Sequence, residues 1–344
     1  MSENIKTEPR RIMVTGGAGF IGSNLVKLIH KLHPDWEIIN YDSLTYAGNL
    51  LSLKELEDNP KYKFVKGDVV DQEAVIKAME GCWGVLHLAA ESHVDRSIED
   101  PGPFLTTNIQ GTASMLNAAR KVGVQRFVQV STDEVYGSLE LGNPAFAEDH
   151  KLQPNSPYSA SKTSADLLAH AYFKTYDLPV LISRCSNNYG PYQFPEKLIP
   201  LLIGNALQGK PIPVYGDGMQ RRDWIYVEDH CLGLLAILEK GEPGEVYNLG
   251  GNHEIPNLNL IKLILKQLVK SENLITFVKD RAGHDRRYAM DCTKALIELG
   301  WQPKYDFATA IKKTIEWNVN SKSWLDSVTS GDYMEYYKRQ YIDR

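Results

Sequence analysis

This sequence has little that would direct the chain to a membrane, a metal ion or a nucleic acid. No uninterrupted apolar run approaches the ~18 residues that a bilayer-crossing helix needs. The opening residues MSENIKTEPRR are polar and contain no apolar signal core, so no secretory leader is expected. Cysteine is scarce. Cys82, Cys185, Cys231 and Cys292 form no CxxC pair and have no histidine spacing suited to zinc. They read as reduced thiols in or near a core, which fits a cytoplasmic enzyme. Charge of one sign is not in excess either: 38 Lys and Arg face 43 Asp and Glu, a net −5, which gives no general attraction to nucleic acid or anionic lipid. Internal repeats and low-complexity tracts are absent. What remains is a chain of 344 residues with ordinary globular composition, long enough for about two domains and a large core.

The organisation begins at residue 12. Ile12-Met13-Val14 is a short apolar strand leading into glycines at 16, 19 and 22, and a helix follows with Leu25, Leu28 and Ile29 on one face. In such a turn Gly16 and Gly19 let a pyrophosphate approach the backbone, Gly22 lets helix and strand pack closely, and the helix N-terminal amides face the phosphates. A second strand, 37–41, ends in Asp42, twenty residues past Gly22, where an acidic side chain can hold an adenosine ribose. A carboxylate there repels a 2′-phosphate, so NAD is expected rather than NADP.

Strand and helix patterns then alternate. Strands are read at 62–65 (closed by Gly67-Asp68-Val69, an adenine contact), 85–88, 127–130 and 179–182. Helices are read at 72–79, 104–121 and from Tyr158 onward. This alternation predicts an α/β fold with a Rossmann-type, doubly wound parallel sheet. Past Arg184 the regularity breaks at Ser186-Asn187-Asn188-Tyr189-Gly190-Pro191. A strand near 220–226, a helix at 228–239 and a strand at 246–248 return toward the sheet. The remainder reads as a smaller, mixed α/β C-terminal domain over the crevice. Its loop 280–288 carries Arg281, His284, Arg286 and Arg287, which suit either a diphosphate or a salt-bridged surface.

The chemistry concentrates between Val128 and Lys162. A strand ends in Ser131-Thr132-Asp133-Glu134, at the sheet edge where open α/β folds bind ligands. Tyr158 and Lys162 lie four apart on one helix face, so an ammonium stands near a phenol and favours its ionised form. Thr132 can hydrogen-bond the same reacting oxygen. A tyrosine base suffices for oxidation of an alcohol, so the neighbouring pair Asp133-Glu134 points to a second acid/base step.

The glycine loop, Asp42, Asn108, Tyr158 and Lys162 together resemble the extended short-chain dehydrogenase/reductase family of sugar-nucleotide enzymes. The similarity to its 4,6-dehydratases runs along almost the whole chain, through LAAESHVDRSI (88–98), STDEVYG (131–137), YSASK (158–162), NNYGPYQFPEKLIPL (187–201), GDGMQRRDWIYVEDH (216–230) and RAGHDRRYAMD (281–291). Arg221 and Ala282 depart from the family pattern, and Arg221 is a candidate to adjust nucleotide contacts. The resemblance implies dTDP-glucose, a nucleoside-diphosphate sugar, as substrate, with another sugar-nucleotide 4,6-dehydratase or a 4-epimerase as the alternative. It implies Thr132, Asp133, Glu134, Tyr158 and Lys162 as catalytic groups. It implies NAD contacts at Gly16, Gly19, Phe20, Ile21, Gly22, Asp42, Thr45, Asp68, Val69, Leu88, Ala90, Ser92, Thr107, Tyr158, Lys162 and Asn188. It implies substrate contacts at Ser92, Thr132, Asn187, Lys197, Leu198, Pro213, Tyr215, Arg222, Asn257, Arg281, His284 and Tyr288. On the same reading, residues 1–188 form the NAD-binding Rossmann domain, 224–250 rejoin it, and 189–344 mainly bind the sugar nucleotide. No metal is expected. Met115, Leu116, Leu167, Leu168 and Tyr172 are apolar residues beyond what one sheet face needs, and in this family the corresponding helices pair across a homodimer.

Overall fold

The computed structural model describes residues 9–329 together with Lys338. The leader reading, which rests partly on residues 1–8, and the outer ends of the two domain assignments lie outside the described residues. Seven parallel strands form the large sheet. In chain order its first half contains β1 (Arg11–Thr15), α1 (Phe20–Leu32), β2 (Glu37–Asp42), β3 (Tyr62–Lys66), α2 (Gln72–Met79), β4 (Gly84–His87), α3 (Val94–Glu99) and a short α4 (Gly102–Phe104). A π-helical stretch, Leu105–Gly111, leads without a break into α5 (Thr112–Val122), so the expected helix 104–121 is one rod with a wide turn at Asn108. Then come β5 (Arg126–Thr132), a 3-10 turn at Asp133–Tyr136, α6 (Pro157–Tyr176) and β6 (Val180–Cys185).

The smaller lobe contains β7 (Asn187–Tyr189), α7 (Leu198–Gln208), β8 (Ile212–Tyr215) and β9 (Arg221–Tyr226). The chain then returns with α8 (Val227–Lys240) and β10 (Val246–Leu249). It leaves again through β11 (Glu254–Pro256), α9 (Asn257–Gln267), β12 (Ile275–Val278), α10 (Phe307–Asn320) and α11 (Lys322–Val328). The large sheet runs β10-β6-β5-β4-β1-β2-β3, and the lobe holds a three-stranded sheet, β11-β9-β7, and the pair β12-β8. Trp224–Tyr226 therefore belong to the small sheet, and the return to the large sheet starts at Val227 rather than 224.

Burial on both faces explains why the parallel strands are nearly continuous in apolar residues. One face packs α1 and α8 through Leu25, Val26, Leu234 and Leu238, and the other packs α2, α5 and α6 through Val75, Met115, Leu116 and Ala169. Met115 and Leu116 are thus committed to the sheet and add nothing to an outer surface. On α6 and the π-helical stretch before α5 it is Leu105, 48% exposed, Leu167, 57% exposed, and Tyr176, 45% exposed, that stand outward. Because β1 sends its neighbours to opposite sides, the crevice at the carboxyl ends of β1 and β4 is the topological switch point. Among the described residues no helix is long and apolar enough to cross a membrane, and no group of three or more His, Cys, Asp or Glu is placed to hold a metal. All four cysteines are unbridged.

Candidate active site

The glycine turn is built for close approach. Gly16 sits at φ +67°, and a Cβ there would meet the Ala89 backbone at 2.9 Å. At Gly22 a Cβ would stand 2.1 Å from the Gly16 carbonyl oxygen. Gly19 caps α1 with no side chain over its first turn and no acidic residue within it, which leaves the amide end of the helix open toward an anion. Asp42 fastens this turn: its Oδ2 accepts from the Ala18 N–H at 2.9 Å and its Oδ1 from the Leu44 N–H at 2.8 Å. Burial raises the Asp42 pKa, and those two N–H bonds oppose the rise. A cavity of about 330 Å³ runs from here across the sheet edge to Tyr158 and Lys162. Every residue expected to touch the dinucleotide lines it, from Gly16 through Thr107 to Asn188. A bare glycine turn at one end, an acidic strand terminus beside it and a deep slot beyond fit a dinucleotide.

At the far end of the slot the five expected catalytic residues meet. Helix α6 starts with a reciprocal capping box between Ser156 and Ser159 and with Pro157 in its first turn, so the position of Tyr158 is fixed by the cap. Its ring meets Phe104 edge-on. The Tyr158 N–H donates to Ser97 Oγ at 3.2 Å. One turn later the Lys162 ammonium donates to the Val130 carbonyl at 2.7 Å and lies within the protein. On β5 and its turn, Thr132 Oγ1 donates to Asp133 Oδ1 at 3.2 Å and accepts from the Glu134 N–H at 3.3 Å.

The electrostatics differ from the expectation for Tyr158. Burial, then the Glu134 carboxylate, pushes its phenol well above the usual tyrosine range, and the Thr132 hydroxyl only partly opposes this. Lys162 is itself drawn down by burial and partly restored by Asp166. In the protein alone the phenol therefore stays protonated. Asp133, with one carboxyl oxygen unpartnered, is pushed well above the carboxylate range by burial and then by Glu134, so it is held as an acid. Glu134 is raised by burial too, but Arg281, Arg222 and Lys197 pull it back, so it ionises more readily than its neighbour. The two adjacent carboxyls are thus both pushed up, Asp133 further than Glu134, so the proton is favoured on Asp133.

Glu134 also opens onto a second cavity of about 180 Å³. The expected substrate residues line it, from Ser92 and Asn187 through Pro213 and Arg222 to Tyr288, except Thr132, which lines the first. Four buried polar atoms of its walls have no hydrogen-bond partner: Asn187 Oδ1, Trp224 Nε1, Asn257 Oδ1 and Arg281 Nε. Unpaired buried groups are costly, so such a set points to a polar ligand. The basic loop divides. Arg281 and His284 face the cavity, whereas Arg286 pairs with Asp217 and Arg287 grips Glu254 through two nitrogens. Arg221 also pairs with Glu254 and is not part of the cavity wall, because strand alternation turns it away from Arg222.

Several residues at the junction of the two cavities were not foreseen. Glu196 is buried, lines both cavities, and accepts from Tyr46 Oη at 3.1 Å and from Arg96 Nε at 3.1 Å. Asp95 lines the second cavity and accepts from Tyr215 Oη at 3.1 Å and from Arg281 at 3.4 Å. The only sequence signal for Asp95 and Arg96 was their place inside LAAESHVDRSI.

A family model described as GDP-mannose 4,6 dehydratase matches residues 13–314. The dTDP-glucose 4,6-dehydratase of Neisseria meningitidis serogroup B is 49% identical, over 94% of this chain and 97% of its own. A dTDP-glucose 4,6-dehydratase from Streptomyces venezuelae, solved with NAD bound, superposes with a TM-score of 0.90 at 45% identity, over 92% of this chain and 99% of its own. A UDP-glucuronic acid 4-epimerase from Bacillus cereus, solved with UDP-glucuronic acid and NAD, superposes at 0.85 with 31% identity, over 90% and 99%.

Proposed function

The chain belongs to the nucleotide-sugar 4,6-dehydratase family, and on that footing we propose that it is an NAD-dependent hydro-lyase acting on dTDP-glucose. It forms dTDP-4-keto-6-deoxyglucose by oxidation at C4, loss of water across C5 and C6, and reduction at C6, a step of deoxysugar biosynthesis. The observation that carries this reading is the pair Asp133-Glu134 set beside Tyr158 and Lys162 where the two cavities meet, with Asp133 the more strongly pushed toward its protonated form. A 4-epimerase needs no second acid/base pair, and the identity to the epimerase is well below that to the dehydratases.

NAD, when bound, brings positive charge to the slot and stores the C4 hydrogen until its return at C6. Tyr158, protonated in the protein alone, would act as phenolate once the positive charges of bound NAD and Lys162 stabilise that form, and so accept the proton of the 4-hydroxyl, with Thr132 hydrogen-bonding the same oxygen. The resulting ketone acidifies C5–H. Glu134 removes that proton, and Asp133, whose surroundings favour its protonated form, delivers its own to the departing 6-hydroxyl; when C6 is reduced, Glu134 returns a proton, exchanged with solvent, to C5. Lys197, Arg222 and Arg281 hold Glu134 within reach of ionisation and stand where the substrate diphosphate is bound, with Asn257, Tyr215 and His284 further along the same wall.

The chain acts as a homodimer in the cytoplasm. The exposed Leu105 and Leu167 on the helices around Tyr158 support the first assignment, and the unbridged cysteines support the second.

The test separates the two chemistries. Glu134→Gln should lower product formation roughly 10²–10⁴-fold, the usual worth of one general base, while retaining C4 oxidation, so absorbance of reduced nicotinamide accumulates on the enzyme. Tyr158→Phe should show no such signal. In the unaltered protein, deuterium at C4 should reappear at C6 and solvent hydrogen at C5. Label lost to solvent, or free reduced cofactor in stoichiometric amounts, would refute the assignment.

A further inference from the structure

Helix α3 carries two consecutive charged residues that belong to the dinucleotide-binding half by sequence but hold the other half by contact. Asp95 reaches β8 through Tyr215 Oη and the loop beyond β12 through Arg281. Arg96 reaches the segment before α7, pairing with Glu196 through both Nε and a terminal nitrogen at 3.1 Å. Its guanidinium also lies 4.2 Å above the centre of the Tyr46 ring, and the Tyr46 hydroxyl donates to the same Glu196. The two residues therefore diverge: Asp95 lines the second cavity, and Arg96 braces Tyr46 and Glu196, which with Phe194 line the first. Tyr46 meets Phe194 edge-on at 5.4 Å between ring centres, so the wall is packed as well as ion-paired.

We propose that Asp95 and Arg96 are positioning residues with separate duties, Asp95 aiming Arg281 at the diphosphate of the sugar nucleotide and Arg96 closing the mouth of the dinucleotide slot. The inference rests on the dehydratase reading. Arg281 keeps its Nε unpartnered inside the protein while a terminal nitrogen is held by Asp95, so the fork is oriented with donors to spare. Freed from Asp95, a long side chain regains rotamer freedom that must be lost again on binding. At the other cavity, a reaction that gives the C4 hydrogen back to the same sugar fails if the dinucleotide leaves between the two halves. The Arg96–Glu196–Tyr46 contact joins the loop after β2 to the segment before α7, two segments that both line the dinucleotide slot.

Charge and orientation make opposite forecasts for Asp95, which makes the idea decidable. If Asp95 were only a negative charge near a diphosphate, Asp95→Asn would tighten binding. If it orients Arg281, Asp95→Asn should weaken binding of dTDP about tenfold, the scale of one charge-assisted contact, and leave bound NAD unchanged. Arg96→Met should do the reverse, losing NAD on gel filtration and speeding its release about tenfold or more, with dTDP affinity within about twofold, since truncating a buried charge partner acts chiefly on departure rates. Tyr46→Phe, which removes one hydroxyl and keeps the ring, should give a smaller loss of NAD in the same direction and serves if Arg96→Met does not fold. The measurements are calorimetric binding of dTDP and extraction of bound NAD from the purified full chain. Neither depends on turnover, and failure of the dehydratase reading would show separately as no 4-keto product from the unaltered protein. Tighter dTDP binding in Asp95→Asn, or parallel losses of both ligands in both variants, overturns the division of duties.

Discussion

Arg184→Met is a demanding test of how the catalytic helix is anchored. Arg184 on β6 is buried and its Nε pairs with Asp166 of α6 at 3.0 Å. One of its terminal nitrogens donates to Tyr136 Oη at 2.9 Å and to the Glu148 carbonyl at 3.3 Å. Tyr136 in turn donates to Asn248 of β10 at 2.8 Å. This one guanidinium joins α6, the turn carrying Asp133 and Glu134, and the edge of the sheet. Asp166 already has one oxygen without a partner, so removing Arg184 leaves a buried carboxylate with no hydrogen-bond partner and only the Lys162 charge nearby. Breaking a buried pair from one side costs about 3–5 kcal/mol. For a chain of 344 residues that corresponds to a melting temperature lower by roughly 4–7 °C. Arg184→Met with Asp166→Leu removes both charges and should recover most of the loss, because two apolar groups have no unpaired partner to desolvate. Calorimetric melting and urea unfolding of the three proteins measure this. A single variant within about 1 kcal/mol of the parent, or a double variant no better than the single, would show that the pair does not anchor α6.

Asp133→Asn should trade activity for stability. The folded protein raises the Asp133 pKa above its unfolded value, so the folded state binds the proton more tightly and stability falls as pH rises above the ordinary carboxylate range. The variant should melt higher than the parent at neutral pH, and the difference should shrink as pH falls through ~4 and vanish below about pH 3, where the carboxyl is protonated in both states; a difference constant with pH would contradict this. Asp42→Ala should weaken NAD more than NADP, read by competitive reconstitution, and should weaken both somewhat because the Ala18 and Leu44 N–H groups lose their acceptor; equal use of the two cofactors by the unaltered protein would show that Asp42 does not discriminate. Leu167→Glu should halve the mass seen by sedimentation at micromolar concentration, and an unaltered protein that is already monomeric would remove the dimer assignment.

The sequence made some features legible because their physics is local. Gly16 and Gly22 are dictated by backbone approach within one turn, Asp42 by the end of the next strand, and the Tyr158–Lys162 spacing by a helical turn. Alternation along β9 would have separated Arg222 from Arg221, since neighbours on a strand face opposite ways. Glu196, Asp95 and Arg96 left no such trace. The partners of Arg96 and Asp95 lie 100 and 186 residues away, and no period or spacing encodes a contact that only the folded arrangement brings about. Helix-face patterning also could not tell Met115 and Leu116, committed to the sheet, from Leu167, which is not. The Tyr158 case is different again. A neighbouring ammonium is visible in sequence, but its bond to the Val130 carbonyl and the depth of burial around the phenol are not.

The path of the chain between its two lobes has a consequence for anyone wishing to change its substrate. The chain leaves the large sheet after β6, comes back for α8 and β10, and leaves again through β11. The smaller lobe is therefore not a cassette that can be exchanged at one seam, and a graft must be joined at each of these crossings with the register of β10 against β6 preserved. The same path bears on synthesis at the ribosome. The sheet acquires β10 only once residue 249 has emerged, after most of the residues that line the second cavity have been made. A nascent chain stopped at residue 188 would carry every expected dinucleotide contact but lack Phe194 and Glu196 of the slot wall and show β6 as a bare edge, an invitation to mispairing that chimeras ending there would inherit.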